Sequence, residues 1–245
     1  CGAYADAVVH QGAEVNRCPV GGASCAAAVA EIMGVEVSQT YPYRPIVHCG
    51  AHLDDRLLRS EYYGEKRCAT ANLVTGIQGC IYGCLGFGDC TRACNYDAIH
   101  VIDGLATVDY EKCVGCGACA KACPRNLITI NPFKAEQMLA VACSNKDAGK
   151  DVMRVCKVGC IGCGACQRNC SLFSIQENLS TIDYDAYDPE DLENVLKACG
   201  KCPRNRLVFV GKPTERDLAA VAGEELPGVV APDFKTTVDD TEWRG

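Results

Sequence analysis

The spacing Cys113-Val-Gly-Cys116-Gly-Ala-Cys119-Ala-Lys-Ala-Cys123-Pro124 constrains this chain more than any other feature. C-x2-C-x2-C-x3-C-P is the run of a loop that wraps a 4Fe-4S cube: three thiolates on one tight turn reach three irons of one cube, and the fourth points toward a second. Twenty-one cysteines in 245 residues bring the whole chain to the composition of a cysteine-held scaffold. Disulfides suit a short secreted chain, but bridging neighbours two or three residues apart closes small strained loops and staples nothing distant. Cys163-Gly-Ala-Cys166 and Cys199-Gly-Lys-Cys202 each have the form of half a zinc site. Zinc ribbons, however, separate their pairs by roughly 15 to 20 residues and need no third and fourth cysteine in the same turn. Iron-sulfur chemistry, and with it electron transfer, fits best, and abundant free thiols imply a reducing, anaerobic setting.

The remaining composition is that of a soluble chain, 48% hydrophobic and 22% charged, with one Trp and five Phe. So few large apolar side chains leave the clusters to complete the core, and removing iron is expected to unfold the chain. A net charge of -7 runs against nucleic acid, whose phosphates call for a basic face. No apolar run reaches the roughly 18 to 20 residues of a membrane-spanning helix. Neither G-x-G-x-x-G nor G-x-x-x-x-G-K-[ST] occurs, so any hydride chemistry belongs to a partner. Cys156-x3-Cys160-x2-Cys163 has the spacing of a radical S-adenosylmethionine loop, but the 82 residues after it are too few for the barrel that chemistry needs. The four histidines are scattered, with His48 beside Cys49 read as packing, and no catalytic residue is assigned.

The expected fold is α+β, a small helical iron-sulfur domain followed by two tandem bacterial-type ferredoxin-like domains. Residues 1–40 form the helical domain, with helices over Ala3–His10 and Ala23–Met33, the second stopped by Gly34. Because the chain opens on Cys1 with no initiator Met, this domain is expected to be incomplete at its start. Residues 41–74 hold a proline-rich linker, Tyr41–Pro45, and a strand-helix element. From Ile46 to Val210 the chain repeats itself. In each copy a strand ends in cysteine (Cys49, Cys143), a helical segment leads to another (Cys68, Cys156), and a ferredoxin-type loop, a hairpin and Cys-Pro-Arg-Asn follow. Asp103-Gly104 is a two-residue hairpin turn. The ferredoxin-like units are then 75–135 and, with its own strand-helix element, 136–211, and 212–245 is an extended tail.

In a two-cluster unit the first three cysteines of one loop join the fourth of the other. The first unit thus takes Cys80, Cys84, Cys90 with Cys123, and Cys113, Cys116, Cys119 with Cys94. Its first loop is irregular, with x3 and x5 spacings and Cys94-Asn95 in place of Cys-Pro. The second unit takes Cys160, Cys163, Cys166 with Cys202. Its other loop is damaged: Tyr187 aligns where a cysteine should stand and an acidic helix, Pro189–Ala198, replaces the rest, leaving Cys170 and Cys199 as buried thiols. For Cys49, Cys68, Cys143 and Cys156 two readings stand, a composite cube at the junction of the copies or small buried residues at element ends. Cys25, on a small-residue helix face, reads as core packing.

The strings Cys1-Gly-Ala-Tyr4-Ala5 with Cys18-Pro19-Val20-Gly21-Gly22, Gly83-Cys84-Leu85-Gly86-Phe87-Gly88-Asp89-Cys90, Val141-Ala142-Cys143-Ser144-Asn145-Lys146-Asp147 and Val158-Gly159-Cys160-Ile161-Gly162-Cys163-Gly164 resemble the B subunits of Rnf ion-translocating ferredoxin:NAD oxidoreductases, in their long, cysteine-rich form. The resemblance covers residues 1–205. It implies a multi-cluster subunit relaying low-potential electrons from soluble ferredoxin to membrane subunits that export sodium or protons. It places the chain on the cytoplasmic side of the cell membrane, in contact with it through an upstream anchor or partner subunits. It also implies an N-terminal C-x2-C-x4-C-x16-C cluster domain in which Cys1 and Cys18 are the third and fourth ligands. The damaged loop and the stretch from Lys212 depart from the family. They leave open a polyferredoxin-like subunit of a soluble cytoplasmic oxidoreductase or hydrogenase complex.

Overall fold

The computed structural model describes residues 2–37 and 41–211. Cys1 and the expected tail lie outside the described residues. At the N-terminus α1 (Gly2–Gln11) and α2 (Gly22–Met33) close a small core of Val8, Val15 and Ala30. Tyr4 joins it and donates its hydroxyl to the Val15 carbonyl at 2.5 Å. α2 stops at Gly34, whose left-handed backbone (φ 65) turns its N–H onto the Ala30 carbonyl.

The first repeat runs β1 (Tyr43–Val47), α3 (Cys68–Ala71), α4 (Asp89–Arg92), β2 (Ile99–Ile102), β3 (Leu105–Val108), α5 (Ala118–Ala122) and β4 (Ile128–Pro132). The second runs β5 (Gln137–Val141), α6 (Gly149–Val155), α7 (Ala165–Asn169), β6 (Phe173–Gln176), β7 (Leu179–Ile182), α8 (Glu193–Lys201) and β8 (Leu207–Gly211). Each repeat holds one hairpin, β2-β3 or β6-β7, and one antiparallel pair that ties its two ends together, β1-β4 or β5-β8. Both hairpin turns carry two consecutive residues at positive φ, Asp103 and Gly104 (46° and 73°) and Glu177 and Asn178 (48° and 62°), which matches the right-handed twist of the strands.

Two local expectations are corrected. The proline-rich stretch is not a linker but the start of β1, with Pro45 opposite Ile130. In a two-stranded ribbon every strand is an edge, so a missing N–H forfeits no second ladder. Before Cys68 there is no helix, only a 3-10 turn at Leu53–Asp55, and Cys68 itself opens α3.

The second repeat has the fuller apolar core, with Met138, Leu139 and Ala140 of β5 inaccessible among Phe173, Tyr187 and Val195. In the first repeat three of the nine core residues are Cys84, Cys90 and Cys119, so the site and the core are the same place. Close backbone approach sets this geometry. Gly115, in the turn between Cys113 and Cys116, has φ 72, and a Cβ there would collide with the Tyr43 carbonyl of β1. Gly115→Ala is expected to destabilise the chain by roughly 2–4 kcal/mol and to release amide-exchange protection over Tyr43–Val47, measured by thermal melting and hydrogen exchange.

Candidate iron-sulfur centres

Three loops share one form. α4, α5 and α7 each follow a left-handed glycine, Gly88, Gly117 and Gly164 (φ 75, 77 and 69), and each carries its loop's last cysteine as second residue: Cys90, Cys119 and Cys166. Three closing cysteines share another form. Cys94, Cys123 and Cys202 are followed three residues on by Asp97, Asn126 and Asn205 at positive φ (50°, 51° and 50°). The next N–H then donates to the thiol: Ala98 to Cys94 at 3.4 Å, Leu127 to Cys123 at 3.4 Å, Arg206 to Cys202 at 3.3 Å. Cys94 keeps this turn without the proline. Cys170 does not, because Phe173 stands at the third position and opens β6. Tyr187, 2% exposed, fills that side of the core beside Cys170, Val195 and Ala198, with Cys199 packed against them.

Three cavities are each lined by four cysteines. One has Cys68, Cys84, Cys90 and Cys123. One has Cys49, Cys80, Cys143 and Cys156. One has Cys160, Cys163, Cys166 and Cys202. Cys94, Cys113, Cys116 and Cys119 form a fourth group, each within electrostatic reach of others in it.

The cavities group two cysteines otherwise than expected: Cys80 lies with Cys49, Cys143 and Cys156, and Cys68 with Cys84, Cys90 and Cys123. The reason is a substitution inside the loop. Cys80, Cys84, Cys90 and Cys94 align without a gap on Cys156, Cys160, Cys166 and Cys170, which puts Phe87 in the place of Cys163. Gly86 and Gly162 flank these positions at φ 78 and 63, each against a hairpin turn, at Gly104 and Asn178. The fourth cysteine lining the cavity of Cys84 and Cys90 is Cys68, which stands outside the loop. Residues 59–71 fold back so that the Tyr62 ring meets Phe87 at 5.6 Å, and the Asp89 carboxylate accepts the Ala69 N–H at 3.0 Å in the turn that Cys68 opens.

The two Cys-Pro-Arg-Asn arginines support the same alignment. Arg125 donates to the carbonyls of Cys80 (3.2 Å) and Gly83 (2.6 Å), and Arg204 to those of Cys156 (2.9 Å) and Gly159 (3.3 Å). Arg56, 7% exposed, donates to the Cys84 carbonyl and to the Gly104 carbonyl at 2.7 Å.

The donor sets fit iron-sulfur clusters. Burial pushes the Cys84 and Cys143 thiols up to about 12 and Cys119 up to about 11, with neighbouring thiols adding to the rise. Four such thiols ionise together only around positive charge, which cluster iron brings.

Elsewhere, the sulfurs of Cys18 and Cys25 lie 3.2 and 2.9 Å from where a Cβ on Gly21 would sit, so Cys25 shares the turn of Cys18 rather than a separate packing face. His48 faces the Val141 carbonyl (3.0 Å) and the Thr129 hydroxyl (2.7 Å) and serves packing. Among the described residues no helix is long and apolar enough to cross a membrane.

Residues 106–129 match the 4Fe-4S binding domain family, the segment that carries Cys113, Cys116, Cys119 and Cys123. The chain is 42% identical over 221 residues to the B subunit of the Na(+)-translocating ferredoxin:NAD(+) oxidoreductase complex of Acetobacterium woodii, covering 87% of this chain and 64% of the relative. It is 37% identical to the B subunit of the ion-translocating oxidoreductase complex of Methanosarcina acetivorans, over 82% of this chain and 74% of that one. It is also 37% identical to the B subunit of the proton-translocating ferredoxin:NAD(+) oxidoreductase complex of Clostridium ljungdahlii, over 88% of this chain and 76% of the relative. On identity sustained across three quarters of two of these relatives, over a chain built around grouped cysteines, this protein belongs to the Rnf-type family of oxidoreductase complex B subunits.

Proposed function

We propose that the chain is the electron relay of an Rnf-type complex, taking electrons singly from a soluble low-potential ferredoxin and passing them to membrane partner subunits that export ions. The observation that carries this reading is the repeated loop form. On this reading two tandem ferredoxin-like units use Cys68, Cys84, Cys90 and Cys123, then Cys113, Cys116, Cys119 and Cys94, then Cys160, Cys163, Cys166 and Cys202, sets supported by the cysteines that line two of the cavities and by the fourth group of neighbouring thiols. When bound, 4Fe-4S clusters supply reversible one-electron redox chemistry. The chain's own residues hold them apart from water, and the N–H donors to Cys94, Cys123 and Cys202, with the buried Arg56, offset their negative charge. The first two groups adjoin, since Cys90 lies within electrostatic reach of Cys119.

The test is metal analysis of the full chain purified without oxygen, followed by reduction with ferredoxin. Iron and acid-labile sulfide in equal amounts, and the electron paramagnetic resonance of reduced 4Fe-4S clusters after ferredoxin is added, are expected. Zinc without sulfide would remove the electron-transfer reading.

A further inference from the structure

We infer that Cys49, Cys80, Cys143 and Cys156 hold a further 4Fe-4S cluster at the junction of the two repeats, one that neither repeat binds alone. The proposal rests on the iron-sulfur reading above. No ferredoxin-type spacing announces this site; geometry assembles it. Each repeat gives two thiols from equivalent places. Cys49 and Cys143 stand two residues beyond the ends of β1 and β5, and Cys80 and Cys156 stand four residues before Cys84 and Cys160. Like the other two four-cysteine cavities, theirs is lined by thiols from separate segments of the chain.

The site is built to receive a negatively charged group. Asn145, 2% exposed, points its amide nitrogen at the Cys80 sulfur at 3.3 Å, and the Cys160 N–H donates to the Cys143 sulfur at 3.3 Å. Backbone bonds crossing between the repeats hold the four thiols in register: Leu57 N–H to Val155 carbonyl at 2.9 Å and Lys157 N–H to Asp55 carbonyl at 2.7 Å. Arg206 adds a side-chain bond to the Gly50 carbonyl at 3.1 Å.

Position gives the junction site its use. Cys49 lies within electrostatic reach of Cys84 in the first repeat, and Cys143 within reach of Cys160 in the second. A cluster between them adjoins a neighbour on each side. Held by these four thiols, such a cluster would supply reversible one-electron redox chemistry between those neighbours, with no bond or proton exchanged.

The experiment compares the full chain with Cys143→Ser/Cys156→Ser, both reconstituted with iron and sulfide without oxygen. The double variant is expected to hold about four irons and four sulfides fewer per chain, with the paramagnetic signals abolished by Cys163→Ser in a separate variant left in place. Unchanged iron overturns the proposal, as does loss of zinc in place of iron. If that variant fails to fold, Asn145→Asp retains every thiol and the carboxylate oxygen that replaces the acceptor of the Asp147 N–H bond (2.7 Å), while exchanging the donor to Cys80 for a negative charge. One cluster's midpoint is then expected to move to more negative potential with the others unmoved, and no movement in any of them overturns the proposal. A wild-type chain with no sulfide at all removes the iron-sulfur reading itself, a result distinct from the failure of this one site.

Discussion

Cys68→Ser is expected to remove the cluster that Cys84→Ser removes, and Phe87→Cys in the same chain is expected to restore it. The loop Cys84-Leu-Gly-Phe-Gly-Asp-Cys90 has the length and the left-handed glycines of its counterpart around Cys163, with a ring where the middle thiol belongs. Serine at 68 leaves three thiols, Cys84, Cys90 and Cys123, on their shared cavity, so about four irons are lost per chain, or one of the four when a three-iron cluster survives. A cysteine at 87 completes C-x2-C-x2-C within the loop and makes the excursion through residues 59–71 unnecessary. The forfeited Tyr62–Phe87 contact, worth about 0.5–1.5 kcal/mol, is small beside a cluster site. Iron per chain and paramagnetic resonance of Cys68→Ser, Cys80→Ser, Cys84→Ser and Cys68→Ser/Phe87→Cys decide the matter. If Cys80→Ser abolishes the signal that Cys84→Ser abolishes and Cys68→Ser does not, the exchange of these two cysteines is wrong.

The same residues explain what the sequence discloses and what it withholds. Loops with all their thiols in sequence, at Cys113 and Cys160, are legible because ligand spacing is a local property of the chain, and the Asp103-Gly104 turn is legible for the same reason. The damaged loop is legible because Tyr187 falls on Cys113 when the copies are aligned. In the first loop Cys80 precedes Cys84, and spacing counts it as the opening ligand. Aligning it on Cys156 instead exposes Phe87 as the vacant position, a signal available in the sequence. Where the replacement thiol comes from is not available there, since it depends on Tyr62, Asp89 and Ala69 meeting across a fold-back. β1 hides for a related reason. Pro45 argues against a strand unless the ribbon has only two members, and strand count is a property of the assembled fold. The turn Glu177-Asn178 is concealed by Glu177, whose positive φ is set by the hairpin rather than by the residue.

Stripping iron from the full chain is expected to unfold residues 41–211 as a whole, not to leave an empty but folded scaffold. The helices that carry the loop cysteines, α4, α5 and α7, span four or five residues each, far below the length at which a helix is stable alone. Every sheet among the described residues is a two-stranded ribbon, marginal in water without something to pack on. In the first repeat three of the nine core residues are thiols, two of them lining the cavity, so iron removal opens the core where they meet and leaves buried thiols facing one another. Structural zinc contributes on the order of 10–16 kcal/mol in zinc-finger peptides, comparable to the whole stability of a domain at about 5–15 kcal/mol, and a site whose ligands come from separate segments couples binding to folding in the same way. Chelation under reducing conditions is therefore expected to abolish the cooperative thermal transition and the amide protection of β5 and β8, with both restored by iron and sulfide together and by neither alone. The second repeat is the sterner half of the test, because Met138, Leu139, Phe173 and Tyr187 give it an apolar core of its own. A transition that persists there after chelation would show that filling the lost cluster site with Tyr187 gave that repeat a core independent of iron.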